Sequence, residues 1–102
     1  MSLSTNSLSA TSISTGRVYQ TTLSSGSNDY YAKFTASSSS TYKIYWSGNA
    51  YYYSVYEGIG NEVKNSGTDD ASYTVSSYSG DVIIKFKSEV RGAVVGFMVQ
   101  EE

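Results

Sequence analysis

The chain of 102 residues contains no cysteine, no histidine and no proline. Without cysteine it cannot form disulfides, zinc–thiolate sites or a thiolate nucleophile. Without histidine it lacks the imidazole base of a Ser-His-Asp triad and the commonest metal ligand. Two widespread nucleophile systems are therefore excluded, and we expect a protein that is not an enzyme and needs no cofactor.

Charge is also scarce, since charged residues make up 16% of the chain and the formal net charge is −2. A nucleic-acid-binding protein needs a clustered basic face. The nearest approach to one is the group Lys85, Lys87 and Arg91, which we interpret as solvated charges on a strand and a turn. No apolar run approaches the roughly 20 residues that span a bilayer, and the first residues lack the pattern of an export signal. We therefore expect no nucleic-acid partner and no membrane insertion.

Tyrosine, in contrast, is abundant, with eleven copies. From Arg17 onwards, short β-branched and aromatic runs alternate with Gly, Ser, Asn and Asp, which is the pattern of strands and turns. The predicted strands are 17–23, 30–36, 41–47, 51–57, 72–76, 82–88 and 93–100, with a short extended piece at 62–64 inside a loop at 58–71. The pattern predicts a single all-β domain, an antiparallel β-sandwich of about 7–8 strands, with jelly-roll-like and Greek-key topologies both open.

The period-2 alternation assigns each strand a core face and an outer face. The residues predicted to face the core are Tyr30, Ala32, Phe34, Tyr42, Ile44, Trp46, Tyr51, Tyr53, Val55, Val82, Ile84 and Phe86. Ile83 shares its face with Lys85 and Lys87, so we expect it to be partly exposed. Strand 93–100 carries few protecting charges. If it is an edge strand, it can pair with a second copy, so we expect the protein to be a monomer or a weak dimer.

Residues 1–15 are almost wholly Ser, Thr, Asn and small residues. Such a composition buries little apolar area, so the segment is interpreted as a linker that precedes a domain at 16–102. Leu3, Leu8 and Ile13 recur along it, and a short edge strand is the alternative.

The order of these motifs resembles the bacterial pre-peptidase C-terminal (PPC) domain and related surface-protein sandwich repeats. The segments that carry the resemblance are Gly16 with Leu23, then 28–36 (NDYYAKFTA), 41–46 (TYKIYW), 51–57 (YYYSVYE), 78–86 (YSGDVIIKF) and 96–99 (GFMV). The resemblance implies a non-catalytic accessory domain of an exported bacterial protein, placed extracellularly, in the periplasm or on the cell surface. It further implies neighbouring domains, such as a peptidase, and in some members binding to carbohydrate or matrix polymer.

Three tyrosines are the candidate ligand-binding residues. Tyr45, Tyr52 and Tyr56 fall on the outward phase of consecutive predicted strands. If those strands pair, the three rings form one platform, whose flat apolar faces and hydroxyl edges suit sugar rings or extended peptide. Trp46 shares its phase with Tyr42 and Ile44 and is assigned to the core.

Metal and acid chemistry have weaker candidates. Asp69 and Asp70, near Asn61 and Asn65, form the one oxygen-rich loop in the sequence, but calcium takes about six or more oxygen ligands and the spacing matches no EF-hand. The carboxylates available to a glycosidase are Glu57, Glu62, Asp69, Asp70 and Glu89, all predicted to lie in turns or at strand ends. We interpret them as solvated groups.

Two hypotheses remain for the function. The first is a binding module that contacts polysaccharide or an extended extracellular protein through Tyr45, Tyr52 and Tyr56. The second is a structural spacer or protein-interaction domain of a cell-surface protein, with no small ligand. A contiguous exposed aromatic patch favours the first hypothesis, and scattered tyrosines favour the second.

Overall fold

A computed structural model describes residues 1–24, 28–48, 52–67, 72–87 and 91–102. For residues 52, 66 and 67 it describes only the backbone. The strands are β1 (Thr11–Ser12), β2 (Tyr19–Leu23), β3 (Asp29–Ala36), β4 (Thr41–Gly48), β5 (Tyr52–Glu57), β6 (Glu62–Gly67), β7 (Ser72–Ser76), β8 (Gly80–Lys87) and β9 (Ala93–Glu101). One 3₁₀ turn, Ser7–Ser9, precedes β1. Within these ranges, no helix has the length and apolar character needed to cross a membrane.

The strands form two sheets that pack face to face. The five-stranded sheet has the order β1-β3-β8-β5-β6, and the four-stranded sheet has the order β2-β9-β4-β7. The hairpin β5–β6 is flanked in sequence by the antiparallel pairs β4–β7, β3–β8 and β2–β9. This nested pairing, distributed over two sheets, is a jelly roll.

The predicted all-β sandwich is therefore confirmed, with two corrections. The described residues contain nine strands, not seven or eight. The additional strand, β1, pairs with β3 in parallel, so the five-stranded sheet is mixed and not purely antiparallel.

The core lies between the sheets and follows the predicted alternation. Leu23, Ile44, Val55, Ile84 and Phe86 have no exposed surface, and the other inward residues are nearly as buried. Burial of each large apolar side chain contributes roughly 1.5–3 kcal/mol. Among the predicted core residues, Tyr51 lies outside the described ranges.

The first fifteen residues lie against the sandwich. Leu3, Ala10 and Ile13 are buried. The Ser4 carbonyl accepts a hydrogen bond from the Tyr31 N–H at 2.8 Å, and β1 continues along the same edge of β3. Within this segment the structure has a two-residue edge strand, Thr11–Ser12, and three buried apolar side chains.

Two further expectations need correction. Strand β9 lies between β2 and β4, so residues 93–100 do not form a sheet edge. Ile83, expected to be partly exposed, is 3% exposed on the outer face of the five-stranded sheet. The side chains that cover it define the candidate site.

Candidate functional site

A pocket of about 190 Å³ opens on the outer face of the five-stranded sheet. Its lining residues come from the N-terminal 3₁₀ turn, from three adjacent strands and from the turn after β5; they are Ser7, Tyr31, Tyr56, Ile59, Gly60 and Ile83. Tyr31 and Tyr56 are both half-buried, whereas Ile59 is 64% exposed. The pocket thus combines two partly accessible tyrosine rings with an apolar floor.

Strand register explains why the two tyrosines flank Ile83. On the central strand β8, Ile83 pairs with Tyr56 of β5 on one side and with Lys33 of β3 on the other. Tyr31 lies two residues from Lys33 on β3 and therefore on the same face. Strands β3 and β5 are two strand spacings apart, about 9.5 Å, and the two tyrosines lie diagonally across β8, because Tyr31 pairs with Lys85 and Tyr56 pairs with Ile83.

Cationic side chains line the same face. The Lys85 ammonium lies 5.4 Å from the centroid of the Tyr56 ring, in cation–π geometry. Lys85 also pairs with Tyr31 across the β3–β8 ladder, so it lies between the two tyrosine strands. Two residues further along β3 from Tyr31, Lys33 Nζ is 4.0 Å from Asp81 Oδ2 of β8. The pocket therefore has an apolar floor and, at Lys85, a hydrogen-bond donor close to its aromatic wall.

The turn between β5 and β6 holds Ile59 beside the pocket. The Glu57 N–H donates to the Asn61 carbonyl, and the Gly58 N–H donates to the Asp81 carbonyl of β8, each at 3.0 Å. Gly58 and Gly60 have φ values of +85° and +80°, in the region that glycine adopts without steric cost. The two glycines thus let Ile59 stand at the tip of a tight turn that is tied to the neighbouring strand.

Tyr45 lies on the other face of the molecule. It is 38% exposed on the outer side of the four-stranded sheet, and the Lys43 ammonium is 5.3 Å from its ring centroid. A depression of about 260 Å³ beside it is lined by Val18, Tyr45, Trp46, Ser47, Gly96, Phe97 and Met98. This surface is open and largely apolar.

The predicted platform of Tyr45, Tyr52 and Tyr56 does not form. It required consecutive strands to pair, but β4 and β5 belong to different sheets, because the chain crosses from one sheet to the other between them. Tyr45 and Tyr56 consequently lie on opposite outer faces. The backbone of Tyr52 pairs with Lys87 at the start of β5. The role of these three tyrosines in binding stays a prediction.

The sequence prediction missed Tyr31 as a site residue, although the signal was present. Tyr31 alternates with the core residues Tyr30 and Ala32 and shares its phase with Lys33, which marks an outward position. Ser7 and Ile59 had no such signal, because a 3₁₀ turn and a glycine turn place them over the sheet.

The acidic candidates do not form a site within the described ranges. Asp69, Asp70 and Glu89 lie outside them. Glu57 is half-buried and Glu62 is exposed. In the part of the chain that the structure describes, no group of three acidic side chains is close enough together to hold a metal ion.

Comparison with known proteins supports the fold. No protein-family model matches the chain, and no curated protein sequence matches it. Among solved structures, the chain is similar to the pre-peptidase C-terminal domain of a collagenase from Bacillus anthracis, with a TM-score of 0.68 and 10% identity over 88% of this chain and 93% of that one. A de novo designed double-stranded β-helix is also similar, with a TM-score of 0.46 and 17% identity over 84% and 99% of the two chains. The resemblance to the PPC domain is thus confirmed at the level of the fold.

Proposed function

We propose that this protein is a non-catalytic binding module and that it holds a carbohydrate ring in the pocket between Tyr31 and Tyr56. The observation that carries this proposal is the pair of half-buried tyrosines flanking the buried Ile83. A sugar ring has an apolar face formed by its C–H groups and a rim of hydroxyls, which matches an aromatic wall with polar groups at its edge.

The polar groups in and beside the pocket are the Ser7 hydroxyl, the tyrosine hydroxyls and the Lys85 ammonium. Ile83 and Ile59 supply the apolar contacts. Sites for small ligands commonly combine a mostly apolar lining with a few polar groups that orient the ligand. An extended protein is the other ligand class that this surface could take.

The PPC-like fold supports placing this module in an exported bacterial protein, beside other domains of a longer chain or on a cell surface. In that setting the ligand is an extracellular polysaccharide or a matrix protein. Tyr52 remains a proposed contact of this site, whereas Tyr45 is a proposed contact only of a separate subsite. The depression at Tyr45 is the second candidate subsite, on the opposite face.

The test is calorimetric titration with soluble oligosaccharides of cellulose, chitin, starch and peptidoglycan, and with a collagen-like peptide. The variants Tyr31→Ala and Tyr56→Ala change the proposed pocket on the five-stranded sheet. The control, Tyr45→Ala, makes the same change on the outer face of the four-stranded sheet. We expect at least a tenfold loss of carbohydrate affinity, or about 1.4 kcal/mol, for the first two variants and retention for the third. Unchanged melting temperatures control for folding.

The other outcomes are equally informative. Loss of binding in Tyr45→Ala alone would move the site to the four-stranded sheet. Binding of the collagen-like peptide alone would change the ligand class to extended protein. A folded wild-type protein that binds no member of the panel would overturn the binding function and leave the structural spacer.

A further inference from the structure

The four sheet edges of the sandwich differ in their protection. The edge of β3 is covered by β1 and by the bridge to Ser4. The edge strand β2 has the N-terminus beside it, since the Thr21 hydroxyl donates to the Met1 carbonyl at 2.9 Å. The edge strand β6 carries Glu62 and Lys64, and its pairing with β5 is interrupted by two register shifts. Covering segments, charges and bulges are the devices that prevent edge-to-edge pairing.

Strand β7 has none of these devices within the described part of the chain. Residues Ser72–Ser76 include no charged residue and no proline. All five pair with β4 in an unbroken register. Apart from that ladder, no backbone hydrogen bond joins β7 to another described residue. Among the described residues, one side of this regular strand therefore has no backbone hydrogen-bond partner.

We propose that β7 is an interaction edge that pairs antiparallel with β7 of a second copy of this chain. The residue order of β7 is self-complementary about Thr74. A two-fold axis there places Thr74 opposite Thr74, Tyr73 opposite Val75, and Ser72 opposite Ser76. Thr–Thr and aromatic–β-branched pairs are favourable cross-strand neighbours. The interface contains no like-charge pair, and a symmetric contact of this kind closes as a dimer.

The side-chain faces of β7 agree with such a dimer. Val75 is fully buried and Tyr73 is half-buried toward the core, whereas Thr74 and Ser76 are exposed on the outer face. In the pair, the inward residues of one copy meet the inward residues of the other. The four-stranded sheets of the two copies then form one continuous sheet of eight strands. This proposal does not depend on the pocket at Tyr31 and Tyr56, which lies on the other sheet.

The test is sedimentation equilibrium of the full chain over a range of concentrations, with two matched variants. Thr74→Lys places two lysines directly opposite each other on the two-fold axis. Thr22→Lys makes the same change at an exposed position on β2, the other edge of the same sheet. We expect the wild-type protein and Thr22→Lys to approach twice the monomer mass at high concentration and Thr74→Lys to stay monomeric. A monomeric wild-type protein, or equal dimerisation of both variants, would overturn the proposal.

A second measurement reports the register directly. Opposite residues of an antiparallel pair have Cα atoms about 4.5–5.5 Å apart, within the range of a disulfide. The chain has no native cysteine, so Thr74→Cys is expected to form a disulfide-linked dimer under mild oxidation. Thr22→Cys is expected to stay largely monomeric. Equal cross-linking of the two variants would contradict pairing through β7.

Discussion

Trp46 of the four-stranded sheet stacks on Tyr53 of the five-stranded sheet, with ring centroids 5.4 Å apart and ring planes inclined by 21°. Tyr53 meets Phe86 edge-on at 5.5 Å. Phe86 in turn lies 4.9 Å from Phe97 of the opposite sheet. The two sheets are therefore joined by a continuous aromatic cluster, with Trp46 at one end and 3% exposed.

Truncation of Trp46 tests the importance of this cluster. Trp46→Ala removes a buried ring and leaves a cavity between the sheets, so we expect the free energy of unfolding to fall by about 3–5 kcal/mol. The matched control is Tyr45→Ala, the adjacent aromatic residue on the outer face, with an expected loss below about 1 kcal/mol. Urea unfolding measures both. Similar losses would show that the cluster does not dominate the contact between the sheets.

The N-terminal segment offers a matched pair of leucines. Leu3 is 8% exposed in the core cluster, whereas Leu8 is 73% exposed. We expect Leu3→Ala to lower the free energy of unfolding by about 2–3 kcal/mol and Leu8→Ala to change it by less than about 0.5 kcal/mol. Urea unfolding of the two variants decides whether the segment acts as part of the fold. Equal and small effects would indicate a linker that contributes nothing to stability.

Ser54 is a buried polar side chain on β5. It has no exposed surface, and its hydroxyl has no hydrogen-bond partner among the described residues. Desolvating an unsatisfied hydroxyl costs about 1–3 kcal/mol, so we expect Ser54→Ala to stabilise the protein by about 1 kcal/mol. Ser47→Ala, at an exposed position on β4, is the control and is expected to be neutral. A destabilised Ser54→Ala variant would show that the hydroxyl has a partner after all.

Tyr73 is expected to make stability depend on alkaline pH. Burial raises the pKa of Tyr73 above its usual value of 10.0; the Glu57 carboxylate acts in the same direction and Lys64 acts against it. A folded-state pKa above the unfolded one gives stability that is fully present below about pH 10 and is lost as the pH rises through the folded pKa. Tyr73→Phe cannot ionise, so we expect its urea midpoint to fall less than that of the wild-type protein above about pH 10. Parallel pH profiles of the two proteins would contradict the prediction.

The predicted strands correspond to those of the structure because alternation reports burial residue by residue. Residues 41–47 and 82–88 were predicted as strands, and the structure has Thr41–Gly48 and Gly80–Lys87. The inward phase of Trp46 and Phe86 was also correct, since an antiparallel strand with one covered face must alternate. Ile83 was misjudged because its cover comes from distant residues that alternation within β8 does not report.

The amino-acid sequence by itself determined the fold class, the core phase of most strands and the absence of thiol and imidazole chemistry, since all three follow from residue type and local spacing. Only the tertiary structure decided which strands pair. The crossover between β4 and β5 separates Tyr45 from Tyr56, and the β3–β8–β5 order brings Tyr31 to the side of Ile83. The physical reason is that strand pairing joins residues far apart in sequence, and the resulting neighbours leave no signal in the local pattern of any one strand.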